Sequence, residues 1–224
     1  MDPAAFITAH TRPLPVPSLP SIRLYQADEV TPLWLLTEAG LATQGLAPPF
    51  WAFAWSGGQA LARYVLEHPG IVAGKRVLDL ACGSGLVGIA AMQAGAASVV
   101  CNDIDPYALA AVALNAALNG VRLDRLAGDR LGVPPPDVDT ILAGDICYER
   151  PMATAMLAYL HGAARSGTEV YVGDPDRAYF PRTGFALCWT GAVMTNPDIE
   201  DKAKKTAHVW RLVAPPEPPL VASL

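Results

Sequence analysis

From residue 75 to residue 172, short apolar runs alternate with longer stretches rich in alanine and leucine. The runs at 75–80, 98–101, 121–126, 140–143 and 169–172 have the length of buried strands, too short for helices. The stretches at 86–94, 106–119 and 151–164 have helical length. Asp105 before Pro106 supplies an N-cap and a first-turn proline, Gly120 closes the same helix, and Pro151 starts the next. Ser56 is expected to cap a helix carrying Leu61, Tyr64, Val65 and Leu66, which stops at His68-Pro69-Gly70. Upstream, Pro13, Pro15, Pro17 and Pro20 predict a first twenty residues that are extended and not helical. Residues 21–27 read as a short strand, and Thr31-Pro32 opens a short helix through Leu41. Downstream, 185–189 and 207–213 read as two strands with no helix between them, which implies an antiparallel hairpin.

This alternation predicts an α/β fold: a single doubly wound, mostly parallel seven-stranded sheet, Rossmann-like, with a terminal antiparallel hairpin. An N-terminal extension over residues 1–47 precedes the main domain at 48–213, and a proline-rich, loose tail follows at 214–224. A chain of 224 residues suits one such domain.

In open sheets of this kind, ligands bind beyond the carboxyl ends of the strands. The first core strand runs into such a site as V-L-D-L-A-C-G-S-G-L-V-G, residues 77–88. Gly83, Gly85 and Gly88 satisfy G-x-G-x-x-G, and Asp103 stands 20 residues beyond Gly83 at the end of the next strand, placed to take ribose hydroxyls. The glycines alone leave NAD(P) and S-adenosylmethionine both open. Asp79 separates them, because a carboxylate beside the loop repels a pyrophosphate and attracts a sulfonium or ammonium. Asp145 ends another apolar run and Asp129 follows one, giving four carboxylates on one rim.

Composition narrows the classes. Mean hydropathy is +0.27, yet the apolar residues are dispersed. No run of about 18 apolar residues suggests a membrane span, and no basic segment followed by an apolar block suggests a secretory signal. Cys82, Cys101, Cys147 and Cys188 are scattered without metal-ligand spacing, which suits a reducing cytoplasm and predicts no metal. A net charge of −5 without basic blocks argues against nucleic acid and suits a cationic protein target.

The segments V-L-D-L-A-C-G-S-G, V-V-C-N-D-I-D-P and I-L-A-G-D-I-C-Y-E resemble the seven-β-strand S-adenosylmethionine-dependent methyltransferases. Within them, P-F-W-A-F-A-W, D-I-C-Y-E and G-D-P-D-R are similar to the electron transfer flavoprotein β-subunit lysine methyltransferases and their bacterial relatives, over about residues 45–213. The resemblance implies that Asp79 with Gly83 and Gly85 holds the methionine portion of S-adenosylmethionine. It places Asp103 on the ribose with Ile104 beside it, and Asp129 with Gly128 near the adenine. Trp51 or Trp55 would border the cofactor or substrate channel, or else clamp the first helix. Asp145 and Tyr148 match a D-x-x-Y signature. The loop departs from its relatives at Cys82 and Ser84, which exchange places with small residues. The implied partner is the flavoprotein β subunit.

Methyl transfer to lysine needs an unprotonated amine. Asp145 and Glu149 are candidates to accept its hydrogen bonds and pass its proton outward, with Tyr148 as a wall of the lysine channel. A small-molecule N-methyltransferase with a nicotinamide-like acceptor, an NAD-dependent oxidoreductase and a non-enzymatic interaction module remain as alternatives.

Overall fold

The computed structural model describes residues 2–27, 33, 48–181 and 183–213. Seven strands form one sheet in the order β5-β4-β3-β6-β7-β9-β8. They are β3 (Arg76–Leu80), β4 (Ser98–Asp103), β5 (Asp124–Ala127), β6 (Thr140–Gly144), β7 (Glu169–Asp174), β8 (Phe185–Met194) and β9 (Lys204–Leu212). Pairings from β5 through β7 are parallel, and β9 runs antiparallel to both β7 and β8. The last strand in sequence is thus inserted between the two that precede it. The chain winds one way from β3 to β5 and then crosses to the other side of β3, so the switch point falls between β3 and β6.

The period-two alternation of side chains separates two cores. Val77, Leu142, Tyr171 and Val209 face the layer of α2 (Ser56–Glu67) and α3 (Leu86–Gln93). Leu78, Leu80, Ile141, Val170 and Val172 face α5 (Arg150–Arg165). On the same side as α2 and α3, where Val112 joins the first core, α4 (Pro106–Leu118) covers β4 and β5, capped by Asp105 as the sequence predicts: its carboxylate accepts the Tyr107 amide at 2.8 Å.

The structure departs from the sequence expectations at four places. Residues Pro3–His10 form helix α1, not an extended stretch, because Asp2 accepts the Ala5 amide and Pro3 sits in the first turn, where its missing N–H costs nothing. The prolines that suggested extension do occupy strands, in a hairpin of β1 (Arg12–Val16) and β2 (Leu19–Gln26). The free edge of β2 is tied to α4 instead of to a sheet, through the Tyr25 amide to Asn115 Oδ1 at 2.8 Å and the Arg23 amide to Asn119 Oδ1 at 3.0 Å. Ser56 does not cap α2; Trp55 holds that position, and the Ser56 hydroxyl donates to Glu200. β5 begins only at Asp124, and a one-turn helix, α6 (Pro197–Glu200), interrupts the terminal hairpin. Of the helix expected from Thr31 to Leu41 only Leu33 is described, helical and buried; the rest of it and the loose tail from 214 lie outside the described residues.

Candidate active site

Asp79, Asp103, Asp129 and Asp145 converge on one cleft of about 440 Å³ at the carboxyl ends of the strands. One half of it is a glycine turn with buried carboxylates. Gly83 and Gly85 adopt left-handed φ values of 50° and 75°, which turns the chain sharply from β3 into α3. Gly88 then packs on the sheet so closely that a Cβ there would lie 2.8 Å from Cys101 Sγ and 3.2 Å from Asp79 Oδ2. Asp79 is 1% exposed and accepts the Gly88 amide at 2.8 Å. Burial pushes its pKa up to about 8, the neighbouring Asp103 charge adds to this, and the amide bond opposes it.

Asp103 accepts the Gly83 amide at 2.9 Å on one oxygen and the Asp105 amide at 3.0 Å on the other. Burial raises its pKa against those two bonds. An ionised carboxylate offers about four acceptor positions, so Asp103 retains capacity for two hydroxyl donors. Ile104 is 74% exposed on the rim. The Gly128 amide donates to the Asp103 carbonyl at 3.1 Å, and Asp129 accepts the Leu131 amide at 2.8 Å. Gly85 and Gly128 shape the backbone without lining the cleft, whereas Asp129 lines it. Trp51, 2% exposed, stacks on Tyr107 and anchors the segment that closes this half.

The other half is mostly apolar and aromatic, with Phe50, Trp55, Tyr148, Met152 and Met156 around Asp145. Tyr148 is 38% exposed with its ring 5.5 Å from Phe50. Its hydroxyl pKa is raised, chiefly by burial and then by the Glu149 charge. Trp55 donates its indole N–H to the Phe50 carbonyl at 2.8 Å. Glu149 is exposed at the start of α5, makes no capping bond and does not line the cleft.

Asp145 is more tightly held than its sequence position suggests. Its backbone is left-handed, φ 58°, and its amide donates to the Gly173 carbonyl at 2.9 Å. Oδ2 accepts the Gly58 amide at 2.7 Å, in the first turn of α2. Oδ1 accepts two bonds from Arg177, from Nε at 3.1 Å and Nη2 at 2.6 Å. The same Nη2 lies 3.6 Å from Glu200 Oε1, and the guanidinium stands 5.9 Å from the Trp55 ring centroid. Arg177 lies in the segment G-D-P-D-R, yet neither it nor Gly58 and Glu200 stands out in the sequence, because nothing local marks partners that meet only across the strand tips.

The cationic end of S-adenosylmethionine fits this chemistry. A carboxylate held near pKa 8 lacks a counter-charge, which a sulfonium or ammonium supplies and a pyrophosphate would not.

The family model of ribosomal protein L11 methyltransferase (PrmA) matches residues 59–146. The electron transfer flavoprotein β-subunit lysine methyltransferase of Xenopus laevis is 41% identical over 180 residues, covering 80% of this chain and 72% of that protein. The protein of the same name from Danio rerio is 44% identical over 134 residues, 59% of this chain and 52% of its own length. Among solved structures, a tRNA (uracil-54, C5)-methyltransferase of Pyrococcus abyssi in complex with S-adenosyl-L-homocysteine aligns with a TM-score of 0.51 at 20% identity, over 68% of this chain and 37% of that one. That likeness is one of fold.

Proposed function

Because the chain belongs to the family of electron transfer flavoprotein β-subunit lysine methyltransferases, we propose that it methylates lysine side chains of that subunit. The methyl donor is S-adenosylmethionine, which supplies an activated methyl group on a sulfonium. The protein's task is then alignment and control of protonation. The single observation that carries the reading is one cleft lined both by the carboxylates Asp79, Asp103 and Asp129 and by the aromatic and apolar side chains beside Asp145.

In this reading Asp79 and the turn at Gly83 and Gly85 hold the methionine end. Asp103 accepts the ribose hydroxyls beside Ile104, and Gly128 and Asp129 border the adenine. Trp51 acts from below, as the anchor of the closing segment. Trp55, Phe50 and Tyr148 supply apolar walls for the aliphatic stem of the substrate lysine. Asp145 has three of its roughly four acceptor positions filled, which leaves one for an amine N–H. Glu149 contributes charge at the mouth and makes no contact in the channel. The four thiols, none paired among the described residues, fit a cytoplasmic setting.

Mass spectrometry of purified electron transfer flavoprotein after reaction tests this, with histones and free nicotinamide as competing acceptors. Added methyl groups on β-subunit lysines are expected. Transfer to nicotinamide with the flavoprotein unmodified would replace this reading by a small-molecule one.

A further inference from the structure

Taken alone, Asp145 would attract a lysine in its charged form, which has no lone pair to give. The surroundings change this. Arg177 binds Asp145 Oδ1 through two N–H groups, and its side chain, 20% exposed, lines the same cleft. Every element packed around the guanidinium contributes a charge or a polar group. Asp145 and Tyr148 come from beyond β6, and Cys147 lies between them. Asp174 at the tip of β7 accepts the Arg177 amide at 2.7 Å, and burial raises its pKa to about 7. Asp176 lies one residue away and faces His208 of β9 at 3.2 Å. Glu200 Oε1 of α6 stands 3.6 Å from Nη2, and Lys205 Nζ of β9 lies 3.9 Å from the same oxygen. α2 adds the Trp55 ring, the Gly58 amide and, on Glu200, the Ser56 hydroxyl.

Asp145 and Glu200 are matched in charge by Arg177 and Lys205, and Asp174 adds a negative charge beside Arg177 as pH rises through about 7. Without Arg177, Asp145 in the acceptor half and Glu200 just outside the cleft, 10% and 4% exposed in their side chains, would have Lys205 opposing them among the described residues. Such a pair favours an ammonium and raises its pKa; a guanidinium at the same place does the reverse.

We propose that Arg177 is a positioning residue for methyl transfer, aiming the Asp145 carboxylate by two hydrogen bonds and cancelling its charge, so that the acceptor lysine is held as a free amine and not as an ammonium. This rests on the lysine methyltransferase reading above. Asp145 still orients the amine through the acceptor position left to it. Glu200 in turn fixes Arg177, which explains a carboxylate buried outside the cleft and bound to the first turn of α2. The alkyl stem of the substrate lysine meets Phe50, Trp55 and Tyr148 in either protonation state. Arg177 therefore acts on the fraction of bound lysine that can react more than on whether lysine binds.

The experiment is the pH profile of kcat with electron transfer flavoprotein as acceptor, for wild type, Arg177→Lys, Arg177→Gln and Arg177→Met. S-adenosylmethionine affinity and thermal unfolding are measured on each protein. Wild type should show an acid limb well below the ordinary lysine pKa of ~10.4. In Arg177→Met the limb should move upward by about one unit, so that kcat falls about tenfold near neutral pH and largely recovers at about pH 9.5, with KM changed less than about threefold. Arg177→Lys keeps the charge and should return the limb toward wild type at a lower plateau. Should Arg177→Met not fold, Arg177→Gln, which retains donors and loses charge, takes its place.

An active wild type with an acid limb at the ordinary lysine value would overturn the proposal without any variant. So would superposable limbs across the series, or a loss that high pH does not restore. A wild type that leaves the flavoprotein unmodified at every pH would instead overturn the functional reading, and this proposal with it.

Discussion

Asp79 is buried, and a cation bound beside it would favour its ionised form. In the ligand-free fold its pKa is about 8, well above the 3.8 of an unperturbed aspartate, so near neutral pH it is mostly protonated. A bound sulfonium or ammonium favours the ionised form, so binding should release up to about one proton per site near pH 7. Affinity should strengthen as pH rises toward 8 and level off above it. Calorimetry in two buffers of different ionisation enthalpy measures the release directly, and Asp79→Asn should abolish it; a binding enthalpy independent of buffer would exclude the linkage. The stability of the free enzyme has the opposite slope. Between the unfolded and folded pKa values the folded state holds the extra proton, so Asp79 stabilises the fold fully below the unfolded value and loses that contribution as pH rises through about 8.

At the scale of elements, the site depends on how closely α2 approaches the tips of β6 and β7. A Cβ on Gly57 would lie 2.4 Å from the Gly173 carbonyl oxygen and 2.7 Å from Asp145 Oδ2, whereas one on Gly58 would meet only Asp145 Oδ2, at 3.9 Å. Two adjacent glycines thus have opposite tolerances. Gly57→Ala should destabilise by about 1–3 kcal/mol through overpacking, more than the at most ~1 kcal/mol that alanine gains in a helix, and should reduce methylation more than cofactor affinity. Gly58→Ala should be close to neutral. Thermal unfolding of the pair decides it, with about 2–4 °C expected per kcal/mol, and equal midpoints would show that the approach is looser than described. The central parallel strands β3, β6 and β7 could be read in the sequence because both of their faces are buried, leaving apolar runs with an aspartate at or near their ends, whereas the edge strand β5 is largely exposed and its start was not legible. Helix α1 could not, since eight residues starting with proline beside a proline-rich segment carry little periodic signal, and only the Asp2 cap marks it. Helix α6 is a single turn, too short for any period. The carboxylates of the rim were legible as strand-tip residues. Arg177 was not, because its partner Asp145 lies 32 residues earlier in the chain and only the sheet brings them together.

Across the whole molecule the net charge is −5, and near the cleft mouth Asp129 and Glu149 are exposed. Inside, Asp145 and Glu200 are offset by Arg177 and Lys205. Attraction of a basic protein should therefore act during approach and not at the reaction centre. Raising salt from about 20 to about 200 mM should lower kcat/KM for the flavoprotein several-fold and leave kcat nearly unchanged. Equal losses in both would place the salt-sensitive charges at the bound amine. The strand order bears on events before any substrate arrives. The glycine turn and its carboxylates lie between residues 79 and 129, and the parallel strands that carry them can pair while the chain is still being synthesised. β9, by contrast, separates β8 from the rest of the sheet, and Lys205 arrives with it. A nascent chain short of residue 204 leaves β8 unpaired and the Arg177 cluster incomplete. The proposed donor pocket can thus form early, but the proposed acceptor channel is complete only once translation has passed the final strand, so a prematurely terminated chain is expected to hold a methyl donor with no channel in which to use it.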